Sequence, residues 1–288
     1  MSAAKRWANE WVPPGAVRLA RRVLAIVRPA PWERVSRWEA GRDGGKGWSA
    51  QSVVDTQSRK WPEFVRLAEG TGPLGLAHEA QQPAKQDYAA HNTIMAFAYV
   101  LGLAGRRRAR LSVLDWGGGL GHYYVLARAL VPDLDLEYHC RDLPAMCAKG
   151  RELLPGVRFH ESDESCMGRR YDLVVASSSL QYSEDWRGTA GRLAQMTESF
   201  LYITRTPVVR RAASFVVVQR PHGLGYVTEY PGWFLNMQEL LGSVRALGME
   251  LVREFLIDER PFVHNAPEQG EYRGFLWRPM GRVEAPRA

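Results

Sequence analysis

The feature that most constrains this chain is a glycine-rich turn closing a short apolar run, Val113-Leu114-Asp115-Trp116-Gly117-Gly118-Gly119-Leu120-Gly121. Glycines at 117, 119 and 121 permit positive φ, and they leave the backbone bare where a Cβ would keep a ligand away. The residues before the turn read as a buried strand, and 120–130 after it as a helix. Strand, turn and helix N-terminus together form a nucleotide-binding corner, with the carboxylate of Asp115 at the strand's end. No Gly-Lys-Ser/Thr ending follows, which excludes a nucleoside triphosphate loop. The sixth place counted from Gly117 is His122, where a nicotinamide dinucleotide fingerprint requires Gly or Ala, so that cofactor is disfavoured.

The texture around the turn is regular. Helices are predicted over 87–102, 120–130, 144–154 and 186–199, alternating with strands over 111–114, 134–140, 157–160, 171–177 and 201–205. That alternation implies right-handed βαβ units and a parallel sheet covered on both faces. Residues 206–235 read as loop-rich, followed by a helix over 236–247. Strands over 251–257 and 273–277 come last with no helix between them, so they pair antiparallel or lie apart. Asp142 comes directly after the second strand, where a carboxylate can accept both hydroxyls of a ribose. Glu161 and Asp163, after the third, could reach an adenine amino group; taken singly, each also suits a cap or a solvated loop.

Upstream, the composition changes. Residues 1–50 hold ten basic side chains against four acidic ones, and six of the ten Trp fall by position 61, whereas the whole chain of 288 residues has a net charge of +7. Between Pro14 and Pro29 the apolar residues share one half of a helical wheel and Arg18, Arg21, Arg22 and Arg28 the other. Such a helix can lie peripherally on an anionic membrane surface or pack its stripe on the main domain. Nucleic acid is not expected as a partner, because no recognised nucleic-acid module follows the basic arm. Residues 41–86 are broken by glycines and prolines, with short helical stretches such as 50–58, and read as a cover. The division expected is therefore a basic, Trp-rich cover over 1–86 and a catalytic-type domain over 87–288, with 206–235 as a substrate lid and residues 1–50 dispensable for cofactor binding. Three cysteines without paired spacing point to neither disulfides nor zinc, and no metal is expected. Lys5 and Arg6 are not followed by an apolar core segment, so no secretory leader is expected and the chain reads as cytoplasmic.

The Asp-x-Gly-x-Gly-x-Gly pattern at 115–121, with Arg141-Asp142-Leu143-Pro144, resembles the class I S-adenosylmethionine-dependent methyltransferases. More closely, Leu114 to Tyr124, Tyr171 to Tyr182, Thr204 to Pro207 and Thr228 to Trp233 resemble a methyltransferase family found in bacterial surface-polysaccharide gene clusters. The resemblance spans about 87–277. It implies an α/β fold with a doubly wound, mostly parallel, seven-stranded Rossmann-like sheet, an antiparallel final strand and an N-terminal helical or loop extension. It implies S-adenosyl-L-methionine as cofactor, with Gly117 and Gly119 at the methionine end, Asp142 at the ribose and Asp163 or a neighbour at the adenine. Ser177 and Ser178 would wall the sulfonium, Asp115 would order the loop, and Gly118, Gly121 and Leu143 complete the set.

In relatives with a catalytic histidine after the fourth strand, the comparable place here holds Gln181, which cannot take a proton. The remaining candidates for acid–base work are His122, Tyr182 and His222, with His91 and Tyr230 behind them. The expected activity is methyl transfer to the oxygen or nitrogen of a small molecule or glycan. A non-catalytic cofactor-binding or scaffold protein on the same fold is the alternative, and a nicotinamide oxidoreductase a weaker one.

Overall fold

The computed structural model describes residues 30–38, 47–75, 87–106 and 108–281. The predicted basic helix over 14–29 lies outside the described residues. Among the described residues, no helix is long and apolar enough to cross a membrane.

Five parallel strands form the centre: β2 (Arg110–Trp116), β3 (Asp135–Arg141), β4 (Arg158–His160), β5 (Tyr171–Ser177) and β6 (Thr197–Val209). They are joined by helices α3 (His122–Leu130), α4 (Pro144–Leu153) and α5 (Trp186–Met196). Helix α6 (Met237–Ala246) precedes β9 (Met249–Leu256), which pairs antiparallel with β10 (Glu271–Pro279), and β10 pairs antiparallel with β6. The order across this sheet is thus β4-β3-β2-β5-β6-β10-β9, with only β10 reversed.

Alternation along the strands sends side chains to two cores. On one face Leu111, Val113, Tyr138, Leu173 and Val175 pack against α1 (Gln51–Ala68), α2 (Tyr88–Gly105), α3 and α4. On the other, Leu114, Val174, Ala176 and Ile203 meet α5 and α6. The sheet is therefore doubly wound, as the alternation of strands and helices predicts.

Three local expectations are corrected. The helical stretch predicted over 50–58 continues to Ala68 through Pro62, because Val53, Val54, Gln57, Trp61, Phe64 and Ala68 form one buried stripe whose packing outweighs a lost backbone bond. The helix predicted over 186–199 stops at Met196, and β6 starts at once with Thr197, whose hydroxyl bonds back to the Leu193 carbonyl at 2.8 Å. Residues 206–235 are not mainly loop: they hold the end of β6, β7 (Phe215–Gln219) and most of β8 (Tyr230–Asn236).

With β1 (Trp32–Val35), β7 and β8 form an antiparallel annex that joins the main sheet where Val208 and Val209 of β6 run beside Leu235 and Asn236. Two features make the junction. Thr204 and Arg205 of β6 face the single residue Gly274 of β10, and Arg205 takes φ 47°, so a bulge bends β6 away from the core sheet. Arg220, buried at 4% exposure, bonds Glu229 at 2.8 Å, Glu33 at 2.9 Å and the Ala30 carbonyl at 2.9 Å, tying β1 to the end of β7.

Gly270 leads into β10 beside the same junction. A Cβ there would stand 2.8 Å from the Val208 carbonyl and 2.6 Å from the ring of Phe234, which is itself stacked on Phe215. Gly270→Ala is expected to cost about 1–3 kcal/mol in urea unfolding.

A second prediction concerns Asp115, only 1% exposed at the end of β2. Burial pushes its carboxyl up to about 7, against the Tyr138 hydroxyl bond that lowers it and the neighbouring Asp142 charge that raises it further. The unfolded carboxyl ionises near its ordinary value of 3.8, while the folded one keeps its proton to about 7. Its contribution to stability must therefore fall as pH rises through that window and level off above it. Asp115→Asn keeps the shape without ionising, so the variant's melting temperature should gain on that of the unaltered chain between about pH 4 and about pH 7.

Candidate active site

The C-terminal ends of β2, β3 and β5 open onto one cleft, as expected at the carboxyl edge of a parallel sheet. After Trp116 the chain turns through Gly117, Gly119 and Gly121 at φ 75°, 62° and 92°, all left-handed. The Gly117 N–H donates to the Arg141 carbonyl at 2.8 Å and the Gly121 N–H to the Gly118 carbonyl at 3.0 Å, which winds the turn into α3. A Cβ at Gly117 would overlap that of Ser179, and one at Gly118 would overlap the Asp115 carboxylate and Cys140 Sγ. Asp115 thus lies directly beneath the turn.

Asp142 connects the turn to the next helix. Its Oδ2 accepts the Gly119 N–H at 2.7 Å and its Oδ1 the Leu143 N–H at 2.7 Å. Burial raises its pKa, and these two N–H bonds work against that rise. Each oxygen keeps a further lone pair for a hydroxyl in the cleft.

The facing wall follows β5. Ser177 Oγ and the Tyr123 hydroxyl are 2.7 Å apart, Ser178 takes φ 51°, and Ser179 Oγ donates to the Trp116 carbonyl at 2.9 Å. Gln181, 1% exposed, donates from Nε2 to Ser178 Oγ at 3.2 Å and to the Arg205 carbonyl at 3.3 Å, so it braces the serine turn against the β6 bulge. Tyr182 lines the cleft and donates its hydroxyl to Gln219 Oε1 at 2.6 Å.

His122 also lines this cleft, while the remaining candidates are placed apart. His122, at the start of α3, is buried against the edges of Trp61 and Phe64, with ring centroids 5.1 and 4.9 Å away. His222 is exposed on the turn Pro221–Leu224 and lines neither described cavity, and His91 lines neither as well. Tyr230 is stacked on Trp48 at 4.3 Å. The Asp163 carboxylate accepts the Trp116 indole N–H at 2.8 Å and pairs with Arg141 at 2.7 Å and Arg192 at 3.2 Å, behind the cleft wall. Glu161 pairs with Arg151 at 2.7 Å.

A second cavity adjoins the first across His122 and Tyr123. Its wall includes Trp32, Phe64, Thr93, Gln219 and the Arg205–Glu259 ion pair at 3.1 Å, so apolar surface is interrupted by a paired charge.

Trp48 and Gln57 also line the first cleft, and no motif announced them. Trp48 belongs to the 1–50 segment expected to be dispensable for cofactor binding, and it stands in the wall of this cleft. One signal was present: a glutamine inside the apolar stripe of α1 is a polar group that helix packing alone does not require.

Residues 88–214 match the model of a family described as a methyltransferase domain. No curated protein matches the chain in sequence. A solved structure described as a sarcosine dimethylglycine methyltransferase from Galdieria sulphuraria is similar with a TM-score of 0.51 at 14% identity, over 80% of this chain and 99% of that one. Magnesium protoporphyrin IX methyltransferase from Synechocystis, solved with bound S-adenosylmethionine, gives a TM-score of 0.48 at 15% identity, covering 79% of this chain and 95% of its own. A didemethyltoxoflavin N-methyltransferase from Burkholderia thailandensis gives 0.47 at 13% identity, covering 85% and 93%. The sheet order with its single reversed strand, the glycine turn at the end of β2 and the likeness to the Galdieria structure together make this the class I methyltransferase fold.

Proposed function

We propose that the protein is an S-adenosylmethionine-dependent methyltransferase acting on a hydroxyl or amine of a small molecule or glycan. The observation that carries this reading is Asp142, held by the N–H groups of Gly119 and Leu143 so that its carboxylate faces a cleft floored by glycines. Such a carboxylate suits the paired hydroxyls of a ribose, and a glycine turn whose backbone lines the cleft lets a ligand approach it closely. Bound S-adenosylmethionine would supply a methyl group on a sulfonium sulfur, a good leaving group.

This chain's own residues would then align and shield. Ser177 and Ser178 wall the cleft beside Tyr182, while Gly117, Gly118 and Gly119 form its floor. The second cavity suits the acceptor, because it meets the first at His122 and Tyr123. An acceptor hydroxyl or amine that took the methyl group would have to give up a proton. Tyr182 and His122 are the titratable candidates on the cleft wall, whereas His222 stands outside it. Correct alignment of donor and acceptor can supply much of the acceleration without a strong base. We read residues 1–86 as a cover and the 206–235 insertion, built on β7 and β8, as the acceptor-side wall. The resemblance to polysaccharide-cluster methyltransferases supports a sugar as one acceptor class.

Calorimetry should show binding of S-adenosylhomocysteine and none of NAD. Asp142→Ala should weaken that binding by roughly 10- to 100-fold, the equivalent of one or two charge-assisted hydrogen bonds. Binding of NAD alone would overturn the reading. Incubation of cell extract with isotopically labelled methyl donor, followed by mass spectrometry, should reveal a methylated product; cofactor binding with no transfer to any acceptor favours a non-catalytic role.

The two wall residues separate by their kinetics. Tyr182→Phe is expected to lower kcat by about 10-fold or more with cofactor affinity unchanged. His122→Ala, which empties a buried ring site, should weaken cofactor affinity and rate together.

A further inference from the structure

Two polar atoms of the N-terminal segment are buried in the wall of the first cleft without a hydrogen-bond partner: Gln57 Oε1, an acceptor, and Trp48 Nε1, a donor. Gln57 is 4% exposed, and its other amide atom, Nε2, donates to the Tyr226 hydroxyl at 3.2 Å, which leaves Oε1 directed away from Tyr226. Oε1 lies 3.2 Å from where a Cβ on Gly119 would stand, so the glutamine packs beside the glycine turn. Trp48 is fixed by its stack on Tyr230 at 4.3 Å and by edge contacts to Tyr182 at 5.0 Å and Tyr226 at 6.3 Å. Tyr226, fully buried, thus contacts both residues and holds them in one cluster.

Burying an amide oxygen and an indole N–H without partners is costly, so their place in a ligand cleft calls for a ligand that satisfies both. An acceptor and a donor on one wall complement the two charges of an α-amino acid, whose ammonium donates and whose carboxylate accepts. A third orphaned acceptor, Asp115 Oδ1, belongs to a residue lining the same cleft. The purine end of a nucleoside has a different need, a flat apolar slot, for which Leu143 and Met146 supply apolar surface in the same cleft, whereas an unpartnered amide oxygen and indole N–H call for charged partners.

We propose that Gln57 and Trp48 hold the amino-acid end of the cofactor, Gln57 Oε1 accepting from its ammonium and Trp48 Nε1 donating to its carboxylate. The inference rests on the cofactor reading above. It makes the N-terminal cover part of the binding site and gives the cleft a means of telling S-adenosylmethionine from nucleosides that lack the amino acid.

The test compares two ligands by calorimetry on the full chain: S-adenosylhomocysteine, which carries the amino-acid end, and methylthioadenosine, which lacks it. Gln57→Leu and Trp48→Phe should each weaken S-adenosylhomocysteine by about 10-fold or more and change methylthioadenosine by less than about 2-fold. Gln57→Glu retains an acceptor and should bind S-adenosylhomocysteine more tightly than Gln57→Leu does, with methylthioadenosine affinity equal in the two variants. Unfolding midpoints of the variants measured alongside confirm that the cover stays in place. Equal losses for both ligands, or no loss for either, overturn the inference while leaving the cofactor reading standing. Failure of the unaltered chain to bind either ligand removes both.

Discussion

One carboxylate sets the geometry of the cleft. Asp142 accepts an N–H from the glycine turn and an N–H from the start of α4, so two segments that leave different strands are held at one distance. Neither bond involves a side-chain donor, and a backbone N–H cannot rotate to find another partner. The turn beneath is equally constrained, because Asp115 and Cys140 fill the space on one side of Gly118 and Ser179 the space beside Gly117. The backbone is thus caught between the sheet below and the carboxylate above, and its bare surface is left toward the cleft. This arrangement is worth more as preorganisation than as stability, since the buried Asp115 carboxyl holds its proton at the expense of ionisation.

A second constraint lies at the bulge in β6. Arg205 at φ 47° lets one long strand serve the core sheet through Ile203 and the annex through Val208. Gln181 bonds to the Arg205 carbonyl and to Ser178, so the bend and the cleft wall are coupled by a single amide. Gln181 therefore has a reason to be glutamine that owes nothing to proton transfer: it donates two hydrogen bonds from one nitrogen, which a neutral imidazole cannot do. The annex is in turn secured by the buried Arg220, whose carboxylate partners sit on β1 and just ahead of β8. Removing one member of such a group leaves the others charged and unpaired, so its effect on folding exceeds the worth of any one bond.

Much of this was legible in the sequence because the signals were local. The turn at 117–121 must be glycine for reasons of φ and space that act within a few residues, and the alternation of strands and helices from 111 to 205 follows from periodicity and buried-strand composition. The antiparallel end of the sheet was readable too, since two strands without a helix between them have few ways to pair. The loop-rich reading of 206–235 failed because Pro207, Pro221, Pro231 and the glycines there punctuate the sequence, whereas β7 and β8 are stabilised by each other and by β1 from far upstream. Likewise Pro62 signals a break that the buried stripe of α1 overrides.

By itself, then, the sequence determined the parallel α/β sheet, the bare turn at the end of its first central strand and the carboxylate after the second, because each is set by neighbours along the chain. Only the tertiary structure decided which distant residues share the cleft. It brought Trp48 and Gln57 to the glycine turn, set Asp163 behind the wall among arginines and left His222 in solvent. The physical reason is that these placements depend on how whole elements pack. A helix or annex strand is positioned by the apolar surface it buries, and the polar side chains it carries arrive in the cleft, or miss it, as a consequence of that packing.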